Sequence, residues 1–442
     1  MLLRELARSN LFVVPLDEQG EWYRYHHLFS DLLLYELRNS QPELMPVVHG
    51  RASVWLEGEG FFEPAIRHAI AAEDYERGGM LIARYWYGYF FVGQTSTLER
   101  WLDALPEDLI NSNGPLLLVK AWISALYGRG EERERFLALA EGSSHEGTLP
   151  DGTASVESGV ATIRAVFAYG GVQDMAQAAR RAAALDPDQT SPQATLVRLG
   201  LGQSSYLSGD LSGARRALEG ALRLMRTDQP LPRLGVLFAL SLVATDEGRM
   251  GEAESLAREA VALVDRFGLQ GVPQAGLAYI ALGRVLAERG NLADAQVELE
   301  KGLSGRPHVL AISPWGPLIG LLALAPVRAA LGDRAGGRAV LKEAREILEA
   351  LPDAGIIPEL LDRQEWKLRA RKPREGHLDE ELTESELDVL RLLSSELSTR
   401  EMAESHYVAP STVRSQIKSI YRKLGVSSRG EAVDEADARG LI

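Results

Sequence analysis

Between Ser405 and Gly430 the sequence has no acidic side chain, although the whole chain carries a formal net charge of -14. The five basic side chains in this stretch are Arg414, Lys418, Arg422, Lys423 and Arg429. Basic groups four residues apart project from one face of a helix. There they can bind phosphate oxygens and the O6 and N7 atoms of guanine. This basic strip (residues 405–430) indicates one confined anion-binding surface, and double-stranded DNA is the partner that it suits.

The composition limits other kinds of chemistry. The chain has 442 residues and no cysteine, which removes disulfides, thiolate metal sites and cysteine nucleophiles. It contains no G-x-x-x-x-G-K-[ST] phosphate-binding loop, so neither ATP nor another cofactor is expected. No apolar run is long enough to span a membrane, and we expect a cytoplasmic protein with no membrane partner.

A few short motifs could support other functions. His26 and His27 lack carboxylate or cysteine companions at ligand spacing, so no metal site is expected. The motif "SQIK" (415–418) matches the S-x-x-K of serine acyl enzymes but has no K-T-G or S-D-N partner. The aromatic run 85–91 is either a ligand platform or, as is more common for packed helices, part of the core. We therefore expect no enzymatic activity.

The residues around the basic strip predict short helices. Three S/T-x-x-E capping boxes mark helix starts, and they are Thr383 with Glu386, Ser398 with Glu401, and Ser428 with Glu431. Another helix fits between the second and third boxes, with Pro410 in its first turn and Gly425 as its stop. Because this helix has no acidic residue near its start, its N-terminus can approach phosphate groups. It is predicted to be a recognition helix, with residues 398–405 forming the supporting helix.

The pattern within the recognition helix separates an inner from an outer side. An apolar stripe at helical spacing is expected to face inward, and it comprises Val413, Ile417, Ile420 and Leu424. The side chains left facing outward are Arg414, Ser415, Lys418 and Arg422.

A repeated pattern of glycine and small residues runs through the middle of the chain. The leading glycines are Gly171, Gly209, Gly248, Gly290 and Gly332. Each is followed five residues later by a small residue and seven after that by another. Glycine can end the first helix of a pair, and small residues let the second helix pack closely against it. The sequence therefore predicts a tetratricopeptide-like solenoid of helical hairpins with a long period.

The first 40 residues are different. The segment from Leu11 to Leu16 is predicted to be a strand, followed by a turn from Asp17 to Gly20 and a second strand from Glu21 to Tyr25. Helices are predicted before and after this hairpin.

The quoted segments "LTESELDVL" and "LSTREMAESHYVAPSTVRSQIKSIYRKLGV" resemble the C-terminal helix-turn-helix domain of LuxR-type transcription regulators. "YRYHHLFSDLL" followed by a helical repeat array resembles the large ATP-dependent, maltose-regulator-like members of that family. This resemblance implies an all-α chain with a short N-terminal winged-helix remnant, a repeat array that senses an effector, and a four-helix DNA-binding domain. The expected ATPase domain is missing, so the chain is interpreted as a shortened gene product or a fragment.

The resemblance also implies roles for individual residues. Arg414, Ser415 and Lys418 would face the bases, whereas Thr412, Arg422 and Lys423 would face the DNA backbone. Thr399 and Arg400, at the start of the supporting helix, would also contact the backbone. The full predicted DNA-binding set is Thr399, Arg400, Thr412, Val413, Arg414, Ser415, Lys418, Arg422 and Lys423.

The expected domains are a winged-helix remnant (1–47), a repeat domain (48–370), a linker (371–381) and a helix-turn-helix domain (382–442). The expected partners are operator DNA, a small-molecule or protein effector on the repeats, and a second copy bound through the last helix. That helix is unusually acidic, Gln416 replaces a usual His, His406 a usual Leu, and Ala409 a usual Ser. These departures leave open an alternative, a protein-interaction scaffold with a vestigial helix-turn-helix; an enzyme built on a helical toroid is less favoured.

Overall fold

The structure is a computed structural model that describes residues 6, 12–16, 23–167, 170–186, 191, 193–225, 229–305, 310, 313–369, 382–395, 397–405, 408–424, 426, 428–438 and 441. The chain divides into two compact units, Met1–Asp362 and Arg363–Ile442. Across the described ranges, no helix is long and apolar enough to cross a membrane.

A short hairpin precedes the helices of the first unit. Strands β1 (Val13–Pro15) and β2 (Tyr23–Tyr25) pair antiparallel, with Val13 opposite Tyr25. Residue Leu16, predicted to end the first strand, lies outside β1, and the predicted strand residues 11, 21 and 22 lie outside the described residues. The expected turn and most of the helix expected before the hairpin lie outside the described residues. Helix α1 (His27–Ser40) follows the hairpin, as predicted.

The next helices form an aromatic core. They are α2 (Leu44–Gly58), α3 (Phe62–Ala71), α4 (Tyr75–Phe91), α5 (Thr95–Asp103), α6 (Glu107–Ser112), α7 (Gly114–Leu126) and α8 (Gly130–Glu141). Trp86 and Phe90 of α4 contact Trp122 of α7, with ring centroids 5.8 and 5.5 Å apart. All three rings are almost completely buried. This part of the predicted aromatic run is therefore packed core rather than a ligand platform.

Helical hairpins continue along the rest of the first unit. The pairs are α9 (Val156–Phe167) with α10 (Val172–Leu185), α11 (Ala194–Leu207) with α12 (Leu211–Leu224), α13 (Pro230–Asp246) with α14 (Met250–Phe267), α15 (Gly276–Glu288) with α16 (Leu292–Leu303), and α17 (Trp315–Ala330) with α18 (Arg334–Glu349). Helix α19 (Ile357–Arg369) follows them. This array confirms the predicted solenoid.

The glycine and small-residue pattern acts as the sequence predicted. The five leading glycines all have positive φ angles, between 75° and 98°, a conformation that other residues adopt only with strain. The small residues that follow pack where larger side chains would not fit. At Gly302, for example, an added Cβ would lie 2.7 Å from the carbonyl oxygen of Gly276.

A partly buried polar network joins three successive hairpins. The Tyr206 hydroxyl of α11 donates to Asp246 of α13 at 2.8 Å and accepts from Arg284 of α15 at 2.8 Å. Arg284 also pairs with Asp246. Burial raises the pKa of Tyr206 to about 12, so its hydroxyl keeps its proton in this network. Buried polar groups with partners favour one arrangement of their neighbours, and this network therefore helps to fix the stacking of the repeats.

After the end of α19, the described residues of the second unit contain four short helices, α20 (Glu384–Leu393), α21 (Thr399–Ser405), α22 (Pro410–Leu424) and α23 (Arg429–Ala438). Their shared core comprises Val389, Leu390, Leu393, Met402, Ala403, Val413, Ile420, Leu424, Ala432 and Ala436. The Thr383–Glu386 capping box has both of its hydrogen bonds. These helices confirm the predicted all-α helix-turn-helix domain.

Candidate nucleic-acid interface

Helix α21 starts at its predicted capping box and packs against α22. The Ser398 N–H donates to Glu401 at 2.7 Å, and the Glu401 N–H donates back to Ser398 Oγ at 3.3 Å. The hydrogen bonds from Ser398 also lower the pKa of Glu401. The Val408 N–H donates to the Ala403 carbonyl at 3.0 Å and ties the start of the next segment to α21. These local contacts set α21 and α22 as a helix-turn-helix pair.

The inner side of α22 is the predicted apolar stripe. Val413, Ile420 and Leu424 are buried, and Ile417 is partly buried against the same core. Val413 was also predicted to belong to the DNA-binding set, and the structure corrects that assignment. Its side chain is 0% exposed because it anchors α22 to the domain core, so its role is to position the helix.

The outer side of α22 carries the remaining predicted residues of this helix. Arg414, Ser415, Lys418 and Arg422 are exposed, as is Thr412 in the first turn. The first turn of α22 has no acidic residue. The partial positive charge at the helix start is therefore not offset locally, which favours an approaching anion.

The structure corrects the prediction for Lys423, which was expected to face the DNA backbone. Its ammonium lies 2.7 Å from the Glu386 carboxylate, and the two side chains are only 10% and 8% exposed. Burial alone would raise the pKa of Glu386, but hydrogen bonds from Lys423, Ser419 and Thr383 lower it to about 2. Lys423 therefore joins the end of α22 to the start of α20 inside the domain.

A second cation of the basic strip also has a structural role. Arg429 donates to the carbonyl of Leu393 at 3.0 Å and to that of Leu397 at 2.7 Å, and it also contacts the carbonyl of Ser395. Carbonyls at the end of a helix lack partners within the helix. Arg429 thus caps the end of α20 and joins it to α23, so charge counting alone overestimates the DNA-facing surface.

The supporting helix contributes its own first turn. Thr399 is half-buried and Arg400 is exposed. The Arg400 guanidinium lies 3.5 Å from Glu404 in a pair whose side chains are 84% and 69% exposed. Such exposed pairs are weak, so Glu404 holds Arg400 only loosely.

Several other residues singled out in the sequence add little to the description of this interface. His406 and Gly425 lie outside the described residues, as do the side chains of Asp434 and Asp437. The centroids of the His26 and His27 rings lie 4.4 Å apart, with the rings tilted by 32°. Among the residues that the structure describes, no group of three or more His, Cys, Asp or Glu side chains could hold a metal ion.

Comparison with known families gives three matches in chain order. Residues 1–45 match the MalT winged helix domain, and residues 159–352 match the MalT-like TPR region. Residues 380–436 match the luxR family of bacterial regulatory proteins. The helix-turn-helix pair described above lies within this last match.

A similar curated protein is the HTH-type transcriptional regulator MalT of Klebsiella pneumoniae (strain 342). It is 33% identical over 141 residues, which cover 32% of this chain and 16% of the relative. MalT from a second Klebsiella pneumoniae strain, ATCC 700721 / MGH 78578, matches over the same shares at the same identity. The chain therefore aligns with only about a sixth of the length of these relatives.

Two solved structures are also similar. One is a Signal Transduction ATPase with Numerous Domains protein with a tetratricopeptide repeat sensor from Pyrococcus horikoshii, with 16% identity and a TM-score of 0.47 over 81% of this chain and 59% of that one. The other is a Rap protein complexed with competence and sporulation factor, with 14% identity and a TM-score of 0.41 over 77% of this chain and 99% of that one. At these scores neither likeness bears on function. With its winged-helix, repeat and luxR matches in this order, the chain is similar to the MalT-like regulators of the LuxR family.

Proposed function

We propose that this chain is a DNA-binding transcription regulator and has no enzymatic activity of its own. The observation that carries the proposal is the outer face of α22, where Arg414, Ser415 and Lys418 are exposed on a helix without an acidic first turn. This face lies in the segment that matches the luxR family. The curated relatives named above are HTH-type transcriptional regulators, which supports the same function.

The exposed residues take different roles in this proposal. Arg414 and Lys418 reach base edges in the major groove, where arginine and lysine bind guanine, and Ser415 lies between them. Thr412 and Arg422 hold the sugar–phosphate backbone, which positions the helix without reading sequence. Thr399 and Arg400 do the same from α21.

The proposed roles of the domains follow the boundaries expected from the sequence. Residues 1–47 form a winged-helix segment, residues 48–370 a sensor, residues 371–381 a linker, and residues 382–442 the DNA-binding domain. The linker residues lie outside the described part of the chain. A second copy pairs through α23, and the acidic side chains there keep that pairing weak.

A cleft in the sensor region offers a place for the effector. It has a volume of about 480 Å³ and lies between α8, α9 and α10, within the usual size range of small-molecule sites. Its floor includes buried Val160 and Phe167. Its walls include Arg133, whose side chain is 8% exposed, and Arg164, which is 3.1 Å from Glu141. Glu134, Glu141, Glu157 and Asp174 line the cleft as well, so a small molecule with an apolar part and several polar groups suits these surroundings.

A duplex-binding assay tests the DNA-binding proposal. The full chain is titrated with a pool of fluorescent duplexes of random sequence at several salt concentrations. We expect binding that weakens steeply as salt rises, because phosphate contacts release counterions. Arg414→Ala should weaken it, whereas Arg391→Ala, which removes an exposed arginine of α20 paired with Asp388 at 3.2 Å, should not. No salt-sensitive binding by the wild-type chain would reject the proposal.

The same assay separates the proposal from its alternative, a scaffold with a vestigial helix-turn-helix. Exposed Glu431 in the first turn of α23 favours that alternative, because acidic groups repel DNA. A scaffold would show no duplex binding at any salt concentration.

The effector cleft has a separate test. A metabolite pool is screened for compounds that raise the melting temperature of the chain, as a ligand of the folded state must. Arg164→Gln should abolish the rise. The matched control is Arg258→Gln, which removes an exposed arginine paired with a neighbour on its own helix, Glu254. Equal responses from both variants would place the ligand elsewhere.

A further inference from the structure

Helix α10 begins without a capping side chain of its own. In α12 and α18, a local aspartate caps the first turn: Asp210 accepts from the Gly213 N–H and Asp333 from the Gly336 N–H, both at 2.8 Å. At the start of α10 the N-cap residue is Gly171, which has no side chain to do this. The free N–H groups of that first turn therefore need a partner from elsewhere.

The partner comes from the far end of the array. The Gln173 N–H in the first turn of α10 donates to the Asp353 carboxylate at 2.8 Å, across 180 positions of sequence. The other oxygen of Asp353 accepts from the Gly355 N–H at 3.0 Å. This local bond orients the carboxylate toward α10, so Asp353 serves as a borrowed N-cap.

A second contact lies two residues further on. The Ile356 N–H donates at 2.8 Å to the Leu207 carbonyl, at the last residue of α11. The backbones approach so closely that a Cβ added at Gly355 would lie 2.1 Å from the Leu207 oxygen, and one at Gly171 would lie 2.7 Å from the Asp353 oxygen. Only glycine fits at either position, because both also have positive φ angles.

Residues 353–357 therefore form a clasp between the end of the array and its first two hairpins. Ala354 and Ile357 of the clasp are buried, as is Leu361 one turn into α19. The clasp supplies partners for unsatisfied groups at two helix ends. Its hydrogen bonds are of ordinary strength, so it can open locally without unfolding a repeat.

We propose that the clasp is a conformational device that fixes the start of α19 against the first two hairpins and opens together with α19 as one unit, which also separates Asp362 from Arg345 of α18, 2.6 Å away. Helix α19 is followed in sequence by residues 370–381 and then by the DNA-binding domain. Opening therefore lengthens the stretch of chain between the fixed part of the array and that domain. Asp174, in the first turn of α10, also lines the effector cleft. A ligand in the cleft contacts the first turn of α10, which the clasp also caps. The effect of clasp opening on DNA binding rests on the proposed function, whereas the existence of the clasp does not.

Hydrogen exchange on the intact chain tests the clasp. Asp353→Ala should speed exchange of peptides from three regions, the start of α10, residues 353–357 and the whole of α19, by about tenfold. The matched control is Asp333→Ala, which removes the equivalent local cap and should affect only the start of α18. Gly355→Ala provides a second route to the same opening, through strain instead of a lost hydrogen bond.

The results distinguish the clasp from the proposed function. If both clasp variants speed exchange only at residues 353–357 and the start of α10, α19 is not held by the clasp and the inference is overturned. If α19 opens as expected but the wild-type chain binds no DNA, the clasp stands and the proposed function fails.

Discussion

The buried pair of Lys423 and Glu386 provides the sharpest prediction about stability. Lys423→Met keeps most of the volume of the side chain but removes the charge that lies 2.7 Å from the Glu386 carboxylate. Breaking a buried pair leaves the other charge without compensation, which is strongly destabilising. Because Thr383 and Ser419 still donate to Glu386, we expect a loss of about 2 to 3 kcal/mol in the free energy of unfolding of the second unit.

The pH dependence of stability follows from the same pair. The pKa of Glu386 falls from an ordinary 4.5 to about 2 in the folded chain. A lowered carboxyl pKa adds stability that is fully present above pH 4.5 and is lost as the pH falls through about 2. The wild-type unit should therefore lose stability between about pH 5 and pH 2. In Lys423→Met this loss should be smaller, because the pKa of Glu386 moves back toward its ordinary value.

Urea unfolding monitored by hydrogen exchange measures the free energy of unfolding of the second unit in the intact chain. Peptides from α20 and α22 report on the second unit separately from the repeats. The control is Lys418→Met, one helical turn away on the exposed side of the same helix, which should change stability by less than about 0.5 kcal/mol. Equal stability of the two variants, together with a reduced salt slope of DNA binding in Lys423→Met, would show that Lys423 binds phosphate and that its pairing is misassigned.

Two further predictions concern the rest of the chain. Adding millimolar ATP and magnesium should leave the melting temperature unchanged, because the sequence has no phosphate-binding loop and a specific ligand would raise the temperature; a rise of several degrees would contradict this. Cutting the chain between Pro230 and Leu231 should leave two halves that are each less stable than the whole, because neighbouring repeats stabilise each other. Calorimetry on each half checks this, and halves that melt as high and as cooperatively as the intact array would refute it.

Local sequence patterns predicted the architecture well. Glycines such as Gly209 and Gly290 adopt, without strain, the positive φ angles that the chain needs after a helix ends, so their spacing located the hairpins. The capping box of Thr383 and Glu386 also depends only on residues three apart, and the helix starts there as predicted. The physical cause of such patterns lies in neighbouring residues, so they can be interpreted without the tertiary structure.

Long-range partners could not be predicted in the same way. A lysine such as Lys423 looks alike in sequence whether it faces solvent or a carboxylate 37 positions away. The same holds for Arg429, whose carbonyl partners belong to another helix, and for Asp353, which caps a helix 180 positions earlier. The absence of a capping residue at Gly171 was visible in the sequence, but it gave no indication of which residue supplies the cap.

The central claim is that the outer face of α22 reads DNA bases, and selection from randomised duplexes tests it most directly. The wild-type chain, Arg414→Ala and the control Arg391→Ala each select duplexes from the same pool. We expect Arg414→Ala to weaken binding to the preferred site by about 1 to 3 kcal/mol and to lose base preference at one position, with the control unchanged. If Arg414→Ala selects the same sequences as the wild type with the same affinity, this face of α22 does not read the bases.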